Sequence, residues 1–448
     1  MPRMQRYLYI ALAVLGWSFG GAWAQNPASQ TTADPVQVPD RAPMPAQGPI
    51  STPIPTLSEL FAAAWQRQPA ARSQQARKDA AAARKEAANS WTAEPIALDI
   101  SGRTDELSSN LGRREYTAGV AIPLWLPGER SRSIAVAEAE QHATASATLL
   151  AQLQTAADVR DAYWTWQLAR VGLALTRERL RHAEQLAADV GRRVRAGDMA
   201  RSDQHQAEGA QAGAEAELAE AAGALAAATQ RLRAISGLTL PVDAMAQADT
   251  LSAEPTPLPT NGASPSLDAH PALADLRNRA EAARQSSELA QARTRATPEL
   301  MVATSRERGT FAEQYQQSVT VGLRFPFGSD SRHRASIATA QALAIEAETQ
   351  LALEHDRIQA ALDSARIRVT SASTQRTAAE RRAQLARESR AFFEKSFRVG
   401  ETDLPTRLRI ELEATAAERQ VARSRIELAA AISALRQALG LLPQQGPQ

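Results

Sequence analysis

The chain has six histidines (His142, His182, His205, His270, His333 and His355), no cysteine, and carboxylates dispersed along its whole length. No two histidines lie three or four residues apart, so no helix face offers a paired imidazole site for a metal. Without cysteine there is no disulfide, no thiolate ligand, no thiol nucleophile and no lipid-bearing cysteine at a processed N-terminus. No P-loop, no G-x-G-x-x-G after a strand and no G-x-S-x-G occurs, so neither enzyme activity nor a bound cofactor is expected. The remaining chemistry is electrostatic and gathers at two glycine turns, Arg195-Ala196-Gly197-Asp198 and Arg398-Val399-Gly400-Glu401. Asp203 and Asp403 follow close behind. A carboxylate repeated around a symmetry axis forms a ring that attracts cations and repels anions. Any one of these charges, taken alone, reads first as a solvated residue at a helix turn.

The elements that position those turns are legible from hydrophobic period. Thr56-Leu57-Ser58-Glu59 has the spacing of a capping box and opens a helical stretch to about Ser90, interrupted near Gln68-Pro69. Ile96, Leu98 and Ile100 alternate with polar or small residues, and after a polar loop Tyr116, Ala118, Val120, Ile122 and Leu124 do the same. Two such runs predict a β-hairpin. From Ser131 to about Arg195 the helical pattern resumes, and Leu173, Thr176, Leu180, Ala183, Ala187, Val190 and Val194 step as a coiled-coil seam. About 65 residues at ~1.5 Å each reach about 97 Å. A shorter helix returns after Gly197 and stops at Gly237, where a C-cap glycine belongs.

The pattern then recurs. Ile122-Pro123 is answered by Phe325-Pro326, Ile134-Ala135 by Ile337-Ala338, Gly197 by Gly400 and Gly237-Leu238 by Gly440-Leu441, each 203 positions on. Gln68-Pro69 is answered by His270-Pro271. Such an offset marks an internal duplication. The second copy carries its own strand pair (Leu300, Val302, Thr304; then Val319, Val321, Leu323, Phe325) and its own helix pair. The organisation expected is a signal peptide (1–24), a Pro-rich linker (25–55), a first repeat (56–238), a linker (239–268), a second repeat (269–442) and a tail (443–448).

The N-terminus, with two arginines, the apolar run Tyr7–Phe19 and Ala22-Trp23-Ala24, has the form of a cleaved export signal. No later stretch reaches the roughly 20 apolar residues of a spanning helix, so entry into a membrane requires a closed β-barrel. Four strands per chain fall short of the roughly eight that the smallest barrels use, so several chains must share one barrel or the strands stay out of lipid. Trp91, Tyr116, Trp125, Tyr315, Phe325 and Phe327 lie near the strand ends. They suit interfacial girdles or a core at a sheet–helix junction equally well. With 51 Lys+Arg against 49 Asp+Glu there is no basic footprint for nucleic acid.

The order helix, strand pair, long helix, turn and shorter helix, duplicated, resembles the TolC family of outer-membrane efflux channels from about Thr56 to Leu442. The motifs that carry the resemblance are Ile122-Pro123-Leu124 with Gly128, Phe325-Pro326-Phe327-Gly328, and the turns at Gly197 and Gly400. The resemblance implies a mainly α fold with a small β part, in which a homotrimer shares a twelve-stranded barrel in the outer membrane and its helical hairpins extend through the periplasm. It implies two protein partners, a periplasmic adaptor and an inner-membrane pump, with outer-membrane lipid around the barrel. Arg195, Ala196, Gly197, Asp198, Arg398, Val399, Gly400, Glu401 and Leu404 would be the tips that meet the adaptor, and Asp198, Asp203, Glu401 and Asp403 the candidate gate. Pro123–Arg130 and Phe397–Leu404 look nearest to the CzcC-like, heavy-metal branch, so an RND-type pump exporting metal cations is the expected setting. A channel for drugs or other small molecules, a periplasmic adaptor and a coiled-coil scaffold are the alternatives.

Overall fold

A computed structural model describes residues 54–240, 253–257, 267–327 and 330–444. The expected export signal and most of both Pro-rich linkers lie outside the described residues. The first described helix starts as expected: Thr56 caps α1 (Leu57–Arg67) with its hydroxyl accepting from Glu59 N–H at 3.3 Å, and the Glu59 carboxylate accepts from Thr56 N–H at 2.7 Å. Pro69 does not distort a helix. It is the first residue of α2 (Pro69–Ala88), where a missing N–H costs nothing.

Four antiparallel strands follow the chain in one sheet: β1 (Ala97–Thr104), β2 (Arg114–Pro123), β3 (Glu299–Arg308) and β4 (Gln316–Arg324). The two hairpins, one from each repeat, are joined by pairing of β2 with β3 from Arg114↔Arg308 to Pro123↔Glu299. Gly119 permits this join, since a Cβ there would stand 2.9 Å from the Ala303 Cβ.

The helices between and after the strands are α3 (Glu129–Ala196), α4 (Arg201–Ser236), α5 (Pro271–Ala292), α6 (Asp330–Arg398) and α7 (Leu404–Ala438). At 68 and 69 residues, α3 and α6 are each about 100 Å long. α3 pairs with α4 and α6 with α7, while α5 lies between α3 and α6. Midway along α3 the main core forms, where Leu57, Leu60 and Ala64 of α1 meet Val159, Tyr163 and Trp166 of α3 and Leu232 of α4. Of the expected seam, Leu173, Thr176 and Val190 are buried and the rest half-buried, with Leu186 added.

Each repeat closes on itself in the same way. The left-handed Gly237 after α4 sits against Arg67 at the α1–α2 break, and left-handed Gly440 after α7 sits against His270-Pro271. A Cβ on Gly440 would lie 2.5 Å from Pro271 Cδ, so only glycine allows that closure.

Candidate functional site

Strand register sorts the sheet into two chemically opposite faces. Even positions of β1, β2 and β3 and odd positions of β4 share one face, which carries Leu98 and Ile100, then Val120 and Ile122, Leu300 and Val302, and Val319, Val321 and Leu323. The other carries Asp99, Ser101 and Arg103, Glu115 and Thr117, Glu299, Ser305 and Glu307, and Gln316, Ser318, Thr320 and Arg324. The apolar face is open to solvent in the single chain, with Ile100 76% and Val319 70% exposed. The outer edges of β1 and β4 are unpaired in this chain. At the helical end of the sheet the expected aromatics stand exposed (Trp91, Phe325, Phe327) or half-buried, as Trp125 is, donating from Nε1 to Ser90 O at 3.2 Å. Tyr116 and Tyr315 lie toward the loop end, with Phe311 beside them.

At the opposite extreme of the helices, the two turns have one backbone. Gly197 (φ 87) and Gly400 (φ 83) are both left-handed, and Asp198 N–H donates to Arg193 O at 2.9 Å as Glu401 N–H donates to Ser396 O at 3.0 Å. Arg195, Ala196, Gly197, Asp198, Arg398, Val399, Gly400 and Glu401 are all exposed, and Arg398 pairs with Glu394 at 3.0 Å.

Leu404 departs from its expected role. It is 1% exposed and packs with Leu186, Val190, Ala207 and Phe397, so it holds the turn from inside instead of offering a surface. Two of the four gate candidates also have structural work. Asp403 is the N-cap of α7, accepting from Thr406 N–H at 3.3 Å, and Asp203 accepts from Ala200 N–H at 3.2 Å at the start of α4. Asp198 and Glu401 keep their exposed positions at the turns themselves.

Behind the turns the two hairpins are linked by charge. Phe397 of α6 lies between Arg193 of α3 and Arg407 of α7, with guanidinium carbons 5.0 and 4.7 Å from its ring centre. Further up, within the second hairpin, Arg390 of α6 reaches Glu411 at 3.6 Å and Glu418 at 3.4 Å on α7, and Arg390 and Glu411 line a groove of about 630 Å³ with His182 and Asp189 of α3. Glu217 of α4 accepts from Arg179 of α3 and Arg419 of α7. Burial alone would raise its carboxyl, but those two arginines outweigh it and hold the group below the usual carboxylate range.

Sequence reasoning missed a buried charge cluster. Glu254, in the stretch read as a linker, has a side chain 1% exposed. It takes Arg160 of α3 on both oxygens, at 2.7 and 2.9 Å, and Arg436 of α7 at 3.2 Å. Arg160 also donates to Leu441 O at 3.0 Å, and Arg436 to Pro255 O at 3.1 Å. The clamp ties the segment between the repeats to a helix of each. No periodicity surrounds Glu254, and nothing in the neighbouring sequence marks it.

Known proteins resemble this arrangement. The family model "Outer membrane efflux protein" matches residues 60–238, the first repeat. The cobalt-zinc-cadmium resistance protein CzcC of Cupriavidus metallidurans is 29% identical over 229 residues, 51% of this chain. That alignment spans about half of the relative's own length, 53%. Among solved structures, CusC, described for its transmembrane channel formation, superposes with a TM-score of 0.74 at 18% identity over 86% of this chain and 92% of its own. The outer membrane protein VceC of Vibrio cholerae gives 0.68 at 17% identity over 86% and 96%. The CmeC outer membrane channel of Campylobacter jejuni gives 0.69 at 13% identity over 86% and 85%. CusC and CmeC are described as channels, none of these proteins is described as an enzyme, and the structural likenesses establish the fold.

Proposed function

We propose that this chain, which belongs to the TolC family of outer-membrane efflux proteins, is the exit duct of a tripartite pump for metal cations. The observation that carries the reading is the sheet, with one face apolar, one face polar, both outer edges unpaired and only four strands. Lipid tolerates no open edge, and four strands enclose no lumen. Three copies, joined β4 to β1, remove every edge at once and give twelve strands with the apolar face outward. Heat-resistant trimers in outer-membrane fractions, conducting in planar bilayers, are the expected result. A monomer without conductance would favour the scaffold reading.

The cargo is the finer part of the proposal. It is supported by the likeness to a protein named for cobalt, zinc and cadmium resistance. It is also supported by charge on the polar face of the sheet, where Asp99, Glu115, Glu299 and Glu307 outnumber Arg103 and Arg324. Repeated by threefold symmetry, that excess favours cations at the exit. A deletion strain should gain sensitivity to divalent metals. Unchanged metal tolerance with raised drug sensitivity would reassign the cargo.

The exposed turns are the faces proposed for the adaptor. Gly400→Leu adds an exposed side chain that meets no atom within 4 Å, at the cost of about 1–3 kcal/mol of left-handed backbone strain confined to the turn. It should weaken adaptor capture while leaving the yield of trimer unchanged; unaltered efflux would remove the turn from the interface.

A further inference from the structure

The apolar face of the sheet turns basic at its loop end. Arg114 and Arg308 are direct cross-strand partners there, and Arg306, two residues along β3, opposes Tyr116. Like charges directly opposed destabilise a sheet, so the placement calls for a counter-charge. Arg114 meets an exposed carboxylate, Glu106, at 3.5 Å. Arg306 and Arg308 have no carboxylate partner among the described residues.

Both are instead held by rings. The Arg306 guanidinium lies 4.7 Å from the centre of Tyr315, and that of Arg308 lies 4.9 Å from Tyr315 and 5.4 Å from Phe311. The two loops are built together around this stack, since Phe311 N–H donates to Leu111 O at 3.1 Å and Arg308 Nε donates to Gly112 O at 3.1 Å. Stacking fixes the plane of a guanidinium and leaves its terminal N–H groups to donate in pairs, the geometry that suits phosphate oxygens.

The arginines also stand at the edge of the apolar rows. Rows on one face lie two residues, about 6.7 Å, apart. The Arg306 row therefore stands about 20 Å along the strands from the Leu300 row, about 15 Å in height at a barrel tilt of about 40°, and closes the rows Leu300 to Thr304 at their loop end.

We propose that Arg306 and Arg308, flanked by Arg114, bind the phosphate of an anionic lipid headgroup on the outward face of the barrel, one site per chain. The inference rests on the reading of the sheet as an outer-membrane wall. It assigns to the rim a specific lipid contact in place of a general aromatic girdle.

Native mass spectrometry of detergent-purified trimers tests it, with bisphosphorylated lipid A, the same lipid stripped of phosphate, and inorganic phosphate as probes. The phosphorylated lipid should be retained at up to one per chain, and the stripped lipid lost. The double variant Arg306→Gln/Arg308→Gln should bind the phosphorylated lipid about 30-fold more weakly. Arg306→Lys/Arg308→Lys, keeping charge without the planar fork, should fall between. Equal retention of the two lipids, or full binding by the Gln pair, overturns the proposal. Displacement by inorganic phosphate at matched concentration would make it a free-anion site and overturn it as well. Should the Gln pair fail to assemble, the wild-type comparison of the two lipids decides. Conductance is recorded on the same samples. A wild type that forms no conducting trimer refutes the barrel reading, whereas conducting trimers that ignore the phosphates refute only the lipid site.

Discussion

The turn at Gly197 and the turn at Gly400 share their backbone hydrogen bonds and left-handed glycine, yet the side chains around them have parted company. Where the second copy has Phe397, buried and held between two arginines, the first has half-buried Val194. Where the second has buried Leu404, the first has exposed Arg201. The helix that follows is capped by Asp403 from the N-cap in one copy and by Asp203 from the third helical position in the other. Duplication has kept what φ demands and released what packing decides. The second turn is tied into the first hairpin, and the first turn is the looser of the two.

The comparison breaks down most sharply where the copies meet. Arg160 and Arg436 are not equivalent positions, and Glu254 belongs to neither repeat. Glu254→Ala leaves two guanidinium groups buried without a carboxylate and should destabilise the protein by about 3–5 kcal/mol. Thermal melting followed by circular dichroism would measure it. The triple variant Arg160→Met/Glu254→Leu/Arg436→Met removes the whole cluster and should recover most of that loss. No recovery would mean that the clamp sets the relation of the repeats, beyond its own charge balance.

The turns themselves give the next effects. Phe397→Ala empties a site 2% exposed and should cost about 3 kcal/mol, at the low end for such truncations because two arginine stems can fold inward. Val194→Ala, at the equivalent place, should cost about 1 kcal/mol. Equal losses would erase the distinction drawn between the two turns. Smaller again are the caps. Asp403→Ala should cost about 1 kcal/mol, while Ala200→Ser, which completes a capping box with Asp203, should stabilise by a similar amount.

What was legible in the sequence was whatever a few adjacent residues decide. Alternation over Leu98–Ile100 and Val319–Leu323 places those side chains on one face without any knowledge of the fold, and Gly197 and Gly400 mark turns for a local reason. The burial of Leu404 depends on Phe397 and Leu186, which nothing nearby in sequence announces, so the sequence alone reads it as a surface residue of the turn. Asp-Leu-Pro at 403–405 is a helix-start signature, so the capping role of Asp403 is legible beside its candidacy for the gate. Glu254 had no signal of either kind.

The smallest expected effect separates the repeats at their other end. His270 caps α5 with Nδ1 accepting from Ala272 N–H at 3.2 Å, while Gln68 at the matching helix start makes no side-chain cap. Burial lowers the His270 pKa, and the nearby Glu354 charge only partly opposes this. The folded protein therefore binds a proton there less readily than the unfolded chain, whose imidazole titrates near ~6.5. The contribution to stability is complete above that value and is lost as pH falls through the lower folded value. Protonation would also place an N–H where the cap needs a lone pair, so the two effects act in the same direction. Melting temperatures compared at neutral and mildly acidic pH should fall more for the wild type than for His270→Gln, which makes the second helix start resemble the first. An equal fall in both would show that the acid sensitivity lies elsewhere and that the two helix starts, for all their difference in side chain, are held by the proline and the glycine closure alone.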